Sequence, residues 1–173
     1  MNIVLLGYMG SGKSLIGKEL SKKIKFEYLD LDDYIENQEK KSISEIFEDQ
    51  GEIYFRKKES LYLKEVLKTY DNTVISLGGG TPCFAGNIEN VTQKEGIKSV
   101  YLQTSLDELS KRLFKERYKR PLIAHTTTLD ELKDFVRKHL FERSFYYNKA
   151  DYKVTTDHKE ANQISDEVIA LLF

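Results

Sequence analysis

The feature that most constrains the fold of this chain is the stretch of residues 7–14, which reads GYMGSGKS. It fits the pattern G-x-x-x-x-G-K-[ST] at every fixed position. The apolar run of residues 3–6 precedes it and an amphipathic stretch follows it, so we expect a strand, a tight loop and a helix in that order. Such a loop points backbone N–H groups at phosphate oxygens. The alternative is a glycine-rich turn with a surface lysine, which leaves this context unexplained.

The polar residues of this phosphate loop have distinct expected roles. Lys13 would meet the β- and γ-phosphates of a nucleotide, and Ser14 would ligate Mg²⁺. We therefore expect ATP as a co-substrate and Mg²⁺ as the cofactor. The loop residues expected to bind the nucleotide are Gly10, Ser11, Gly12, Lys13, Ser14 and Leu15.

The rest of the chain alternates short apolar runs with longer amphipathic stretches, which is typical of βαβ units around a parallel sheet. We predict an α/β fold. A single domain over residues 1–173 is expected, because 173 residues of which 40% are hydrophobic supply one sizeable core. The five predicted strands span residues 2–7, 27–30, 73–77, 98–103 and 152–155.

Composition restricts the partners and the compartment. The 27 basic and 28 acidic residues nearly cancel, so neither nucleic acid nor a membrane surface is an expected partner. Cys83 is the only cysteine, which excludes an internal disulfide and fits a reducing compartment. The apolar run at residues 3–6 is too short for a signal segment or a membrane span. We expect a cytoplasmic protein and a monomer.

Two segments add residues that a simple βαβ unit does not require. Ser42 and Glu45 form a capping-box pattern in the long gap after the second predicted strand, so we predict a side lobe at about residues 31–62. Residues 115–128 hold one proline and three consecutive threonines and lack apolar periodicity. This pattern predicts a mobile loop, and we place a lid at about residues 113–128.

Carboxylates cluster at the end of the second predicted strand. Asp30 ends the strand and Asp32 follows closely, at the sheet edge where open α/β folds bind ligands. One aspartate there can support the shell of Mg²⁺, and another can accept a proton from an attacking hydroxyl. We choose Asp32 as the base. Its alternative role is the N-cap of the next helix, and the two roles are compatible.

Three arginines are candidates for binding an anion. Arg56, with Glu59 three residues later, suits a planar carboxylate but equally fits a surface ion pair along a helix. Arg120 lies in the predicted lid, where it would offset charge on a transferring phosphoryl group or would be a solvated loop residue. Arg143, on the last long predicted helix before the fifth strand, is ambiguous by itself.

The third predicted strand runs into three consecutive glycines, Gly78, Gly79 and Gly80. Glycine lets a ligand approach the backbone where any β-carbon would intrude. We therefore predict a backbone wall beside an acceptor molecule. A merely flexible turn is the alternative.

Together, in this order and spacing, these motifs resemble those of the shikimate kinase family along almost the whole chain. The resemblance rests on the phosphate loop, Asp-Leu-Asp at 30–32, Phe-Arg-x-x-Glu at 55–59, the triple glycine and Arg-Pro-Leu at 120–122. It implies a five-stranded parallel sheet in the order 2-3-1-4-5, flanked by helices, with a substrate-binding lobe and a lid. It also implies transfer of the γ-phosphate of ATP to the 3-hydroxyl of shikimate.

The resemblance implies a role for each matching residue. Lys13 and Arg120 would stabilise the transferring phosphoryl group, and Asp32 would bind the acceptor hydroxyls and act as the base. Ser14 would hold Mg²⁺, with Asp30 acting through water. The residues that would bind shikimate are Asp32, Arg56, Glu59, Gly78, Gly79, Gly80 and Arg143.

The adenine contact has two candidates, because the family places a stacking arginine shortly before the lid. Arg112 is the first choice and Arg117 the alternative. Other activities also compete: a related kinase acting on gluconate or a nucleoside monophosphate, and a non-catalytic nucleotide-binding regulatory module. Arg56, Arg143 and the triple glycine favour a compact carboxylated polyol, and an acceptor base at Asp32 favours catalysis over regulation.

Overall fold

In the computed structural model, which describes residues 1–173, five strands form one sheet flanked by seven helices. The strands are β1 (Asn2–Leu6), β2 (Glu27–Asp30), β3 (Thr73–Ser76), β4 (Ile97–Gln103) and β5 (Tyr152–Thr155). The helices are α1 (Lys13–Ile24), α2 (Leu31–Glu39), α3 (Ile43–Thr69), α4 (Asn87–Thr92), α5 (Leu106–Glu116), α6 (Leu129–Tyr147) and α7 (Ala161–Leu172). None of these helices combines the length and the apolar character needed to cross a membrane.

The sheet is parallel throughout, in the order β2-β3-β1-β4-β5. The predicted α/β class and strand order are confirmed, and the strand ends lie within one residue of those predicted. Parallel pairing places the loops after β1, β2 and β3 at one edge of the sheet. That edge therefore gathers the phosphate loop, the aspartates and the triple glycine, as open α/β sheets do at their ligand sites.

Strand β1 shows why four of its five residues are apolar. All five of its residues are buried. Ile3 and Leu5 pack with residues of α1 and α7, whereas Val4 and Leu6 pack with residues of α2 to α6 on the opposite face. A strand covered by helices on both faces has no polar side, and the loop after it is held rigidly by two cores.

The chain between β2 and β3 forms α2 and the long helix α3. Ser42 and Glu45 each accept a hydrogen bond from the other's backbone N–H, at 3.2 Å and 2.7 Å, so the predicted capping box begins α3. Gly51 interrupts the helix with φ of 81° and ψ of 172°, a conformation essentially restricted to glycine. The helix therefore kinks between its first two turns and the part that carries Phe-Arg-x-x-Glu.

The segment predicted as a lid begins on a helix. Helix α5 continues to Glu116, and a 3₁₀ turn at Arg117–Lys119 follows. Ile123 is buried in the core, and the Thr126 hydroxyl donates to its carbonyl at 2.6 Å. The Thr128 side chain caps α6. Thr127 donates its backbone N–H and its hydroxyl to Glu131, at 2.9 Å and 3.1 Å, so all three consecutive threonines form hydrogen bonds. The mobility of residues 113–128 stays a prediction.

Candidate active site

The carboxyl edge of the sheet opens into a cleft of about 880 Å³. The phosphate loop lines it together with Asp30 at the end of β2, with Asp32 at the start of α2 and with Gly78 and Gly79 after β3. Side chains of α5 and of the start of α7 complete the lining. The predicted nucleotide-binding residues all line this cleft: Gly10, Ser11, Gly12, Lys13, Ser14, Leu15, Arg112 and Arg120.

The phosphate loop turns sharply between β1 and α1. Gly10 has φ of 82° and Gly12 has φ of 91°, values that glycine adopts without strain. A β-carbon at Gly7 would lie 2.8 Å from the Leu102 carbonyl oxygen, so the loop starts in direct contact with β4. Helix α1 begins at Lys13. The predicted strand, loop and helix are therefore present, with the helix N-terminus directed at the cleft.

Lys13 is folded back onto its own loop. Its Nζ donates to the carbonyl of Gly7 at 2.8 Å and to that of Tyr8 at 3.0 Å. Burial lowers the pKa of Lys13 to about 8, and the negative charges of Asp32 and Asp30 oppose this effect. Neutral carbonyls hold an ammonium less strongly than phosphate oxygens do, so this side chain is available to an anionic ligand.

Asp30 is the N-cap of α2. Its Oδ1 accepts the backbone N–H of Asp32 at 3.1 Å, and its Oδ2 accepts the Ser14 hydroxyl at 2.9 Å and the Tyr28 hydroxyl at 3.2 Å. The alternative that Asp32 caps this helix is wrong, because Asp32 lies inside its first turn. The oxygens of Ser14 and Asp30 lie side by side in the cleft, and paired oxygen ligands of this kind fit Mg²⁺.

Asp32 carries an unpartnered carboxylate oxygen. Its Oδ1 is buried without a hydrogen-bond partner, against Gly78. The pKa of Asp32 is raised to about 7, chiefly by burial and then by the charges of Asp30 and Glu59, while the charge of Lys13 opposes them. A carboxyl that titrates near neutral pH and lines a cleft is suited to general-base chemistry.

Arg56 belongs to a buried ion pair. Glu59 is 1% exposed, and it accepts from Arg56 Nη1 at 2.9 Å and from the Thr81 hydroxyl at 2.6 Å. The Arg56 guanidinium lies 4.0 Å from the ring centroid of Phe84. The interpretation as a surface ion pair is therefore wrong. A guanidinium held along one edge and one face keeps other N–H groups available for an anion.

The three glycines after β3 make room for three charged side chains. The atoms that β-carbons at residues 78, 79 and 80 would meet are, in that order, Asp32 Oδ1 at 2.8 Å, Arg143 Nη1 at 3.2 Å and Arg56 Nη2 at 2.8 Å. Any larger residue would displace one of these groups. One backbone turn therefore brings a carboxyl and two guanidinium groups together, and the contact of this turn with a substrate stays a prediction.

Arg143, on α6, has no carboxylate within ion-pair distance. Its guanidinium lies 5.8 Å from the ring centroid of Tyr8 and beside Gly79. Tyr147, one turn further along α6, donates its hydroxyl to the Gly79 carbonyl at 2.6 Å. The fold thus places an unpaired cation next to the paired Arg56, at neighbouring glycines.

Arg120 lines the same cleft as the phosphate loop, and its side chain is partly exposed. It pairs with Glu116, at 3.1 Å, one helical turn earlier in the chain. Both side chains are substantially exposed, so the pair holds Arg120 only weakly. The guanidinium can therefore exchange this partner for a phosphoryl group.

The two candidates for the adenine contact differ in position. Arg112 lines the cleft, pairs with Glu108 at 2.8 Å and donates to the Gly10 carbonyl at 3.2 Å. Arg117 lies outside the lining and stacks on Phe114, with 4.0 Å between the guanidinium carbon and the ring centroid. Position relative to the cleft favours Arg112.

Several residues of the site have no counterpart in the sequence-based prediction. Lys111 and Lys115 line the cleft, and their spacing of four on a predicted helix was an available signal. Thr81 had no such signal. It contacts Glu59 only because the loop after β3 packs against α3.

Comparison with known proteins agrees with the function that this geometry indicates. A family model for shikimate kinase matches residues 9–173. The chain belongs to the shikimate kinase family. The shikimate kinase of Flavobacterium johnsoniae is 49% identical over 170 residues, which cover 98% of each chain. The shikimate kinase of Clostridium botulinum (strain ATCC 19397 / Type A) is 43% identical over 162 residues, which cover 92% of this chain and 91% of that protein.

Solved structures of family members share the whole fold. The 1.7 Å crystal structure of the Bacteroides thetaiotaomicron shikimate kinase has a TM-score of 0.89 at 36% identity and covers 99% of this chain and 98% of its own. The Acinetobacter baumannii shikimate kinase in complex with shikimate has a TM-score of 0.82 at 29% identity, with coverage of 99% and 92%. The resemblance inferred from the motifs is confirmed.

Proposed function

We propose that this chain transfers the γ-phosphate of ATP to the 3-hydroxyl of shikimate, giving shikimate 3-phosphate and ADP. The observation that carries the proposal is the turn of three glycines. It brings Asp32, Arg56 and Arg143 together beside the phosphate loop. Membership of the shikimate kinase family, whose phosphoryl donor is ATP, supports the same assignment.

In this proposal the acceptor binds through its carboxylate. Arg56 and Arg143 would hold it, because two guanidinium groups at neighbouring glycines offer N–H donors to both carboxylate oxygens. Glu59 braces Arg56 without consuming Arg143, which has no ion-pair partner of its own. The ring hydroxyls would then lie near Asp32 and the backbone of Gly79 and Gly80, an arrangement that suits a small carboxylated polyol.

The nucleotide would occupy the cleft with its phosphates in the loop after β1. Lys13 would leave the carbonyls of Gly7 and Tyr8 for the phosphates. Ser14, and Asp30 through water, would hold Mg²⁺, since their side-chain oxygens are already adjacent. When bound, Mg²⁺ would neutralise charge on the β- and γ-phosphates.

For the transfer itself, Asp32 would accept the proton of the acceptor hydroxyl as its oxygen bonds to the γ-phosphorus. The bond between that phosphorus and the bridging oxygen breaks, and ADP leaves. Lys13 and Arg120 would offset the charge on the transferring group. Arg120 would exchange Glu116 for the phosphoryl oxygens. The segment 113–128 would act as the lid that excludes water, because an open site would hydrolyse ATP.

The test is release of ADP in a coupled assay with Mg²⁺ and ATP. Four reactions are compared: shikimate, gluconate, a nucleoside monophosphate and no acceptor. We expect ADP release with shikimate alone and a product phosphorylated at the 3-hydroxyl, identified by NMR. Turnover with gluconate or a nucleotide instead would indicate a related kinase. ATP binding without turnover on any acceptor would indicate a regulatory module.

A further inference from the structure

Tyr8 occupies a variable position of the phosphate-loop pattern, yet its side chain is buried and lies outside the nucleotide cleft. Its hydroxyl forms a hydrogen bond of 2.8 Å with Nδ1 of His139. The two rings also meet edge to face, with centroids 5.5 Å apart. A side chain of the loop that would hold ATP is thus fastened to α6, the helix that carries Arg143.

The contact between Tyr8 and His139 lies next to Arg143. His139 and Arg143 are four residues apart on α6 and therefore share one face of the helix. The Arg143 guanidinium lies between the Tyr8 ring, at 5.8 Å from its centroid, and Gly79. Gly79 is itself held by the hydroxyl of Tyr147. Tyr8 is therefore a residue of the phosphate loop whose side chain lies beside Arg143.

The backbone of Tyr8 is also constrained. Its carbonyl accepts a hydrogen bond from Lys13 Nζ at 3.0 Å. The residue is thus tied at its backbone to the proposed phosphate-binding lysine and at its side chain to α6.

We propose that Tyr8 and His139 are positioning residues for the acceptor, through Arg143. Their hydrogen bond holds α6 against the phosphate loop, which sets the place of Arg143 relative to the γ-phosphate. In-line transfer requires the acceptor carboxylate and hydroxyl at a defined distance from the phosphorus, so a small shift of this arginine misplaces the acceptor. The inference rests on the proposed function and adds a specificity role for the loop.

The test removes only the hydroxyl, with Tyr8→Phe. We expect the KM for shikimate to rise about fivefold, which corresponds to about 1 kcal/mol for one hydrogen bond. The KM for ATP should stay within about twofold, since the backbone of the phosphate loop is unchanged, whereas kcat should fall because a misplaced acceptor is no longer in line with the phosphorus. The matched control is Tyr34→Phe, which removes a hydroxyl that bonds Glu65 at 2.8 Å on the surface. This control should leave all three constants unchanged.

Substitutions at His139 distinguish the loss of its hydrogen bond with Tyr8 from a general destabilisation of the fold. His139→Leu should raise the KM for shikimate as Tyr8→Phe does, and the double variant should be no worse than either single one. His139→Asn keeps a polar atom near the place of Nδ1 and should restore most of the affinity. Thermal unfolding of every variant shows whether the protein remains folded.

Three results would contradict the positioning role of Tyr8 and His139. An unchanged KM for shikimate in Tyr8→Phe, or an equal rise in the KM for ATP, would overturn the positioning role. Additive losses in the double variant would overturn it as well. Absence of shikimate turnover in the unaltered protein would overturn the proposed function, and this inference with it.

Discussion

The two halves of the cleft are built differently. On the acceptor side, Arg56 is locked to Glu59, which is 1% exposed and also bonded to Thr81. On the nucleotide side, Arg120 pairs only with the exposed Glu116, one helical turn away in sequence. The acceptor half thus holds Arg56 in a buried pair, whereas the nucleotide half holds Arg112 and Arg120 in pairs with residues four positions earlier in the chain.

Burial explains this difference. A buried carboxylate must be paired, and removing its partner is costly, so the acceptor side has one stable arrangement. An exposed pair gains little from its contact and is easily exchanged. A site that recognises a small acceptor benefits from the first arrangement, and a segment that must close over ATP benefits from the second.

The largest effect is expected on the acceptor side, from Asp32→Asn. This variant removes the proposed base, so kcat should fall by about 10⁴-fold. ATP affinity, measured by calorimetry, should change little because the phosphate loop is intact. A variant that kept most of its rate would show that Asp32 is not the base.

The two ion pairs can be compared directly by removing one charge from each. Glu59→Gln should lower the free energy of unfolding by about 2 kcal/mol, because the charged hydrogen bond to Arg56 is lost and only the exposed Glu52, at 3.7 Å, remains as its counter-charge. Glu116→Gln, the matched change on the nucleotide side, should cost about 0.5 kcal/mol or less. Urea unfolding measures both. Equal losses would contradict the contrast between the two halves.

Arg120→Ala tests the nucleotide side. We expect kcat to fall about 10²-fold, since one group that stabilises transition-state charge is lost. The affinity for ATP should weaken far less, because Arg120 pairs with Glu116 in the unliganded protein and would join the phosphoryl group during transfer. Comparable losses in kcat and in ATP binding would indicate a binding residue rather than a catalytic one.

The pH dependence follows from the two shifted pKa values. Below about pH 7, kcat/KM for shikimate should fall about tenfold per pH unit as Asp32 becomes protonated. Above about pH 8 it should fall again as Lys13 loses its charge. A profile that stays flat down to pH 5 would contradict the environment assigned to Asp32.

The free energy of unfolding should depend on the protonation of Asp32. The folded protein binds the Asp32 proton more tightly than the unfolded chain does, since burial raises the pKa from 3.8 to about 7. This contribution to the free energy of unfolding is therefore present at low pH and lost as pH rises through that window. The Asp32→Asn variant should lack this component of the pH dependence, which urea unfolding at several pH values would show.

The smallest expected effect separates the two adenine candidates. Arg112→Ala should raise the KM for ATP about fivefold, in line with the loss of about 1 kcal/mol from one cation–π contact. Arg117→Ala, the matched control, should stay within about twofold because Arg117 stacks on Phe114 outside the cleft. The reverse result would assign the base contact to Arg117.

Much of the fold and part of the site could be predicted from contiguous residues. The phosphate loop, the capping box at Ser42 and the strands depend on local spacing and local apolar runs. The predicted roles of Asp32 and Arg56 each had an alternative, as N-cap or as surface pair. The first alternative failed for a local reason, because Asp30 already fills the cap. The second failed because of a distant segment, since Glu59 is buried by the packing of α3 against the loop after β3.

The sequence by itself determined the class of fold, the order of the motifs and the chemical types gathered at the sheet edge. These properties follow from patterns within single segments, where the covalent chain sets the neighbours. Only the tertiary structure decided which charges are buried, which pKa values shift and whether Arg112 or Arg117 lines the cleft. Burial is a property of several segments packed together, and no local spacing of residues specifies it.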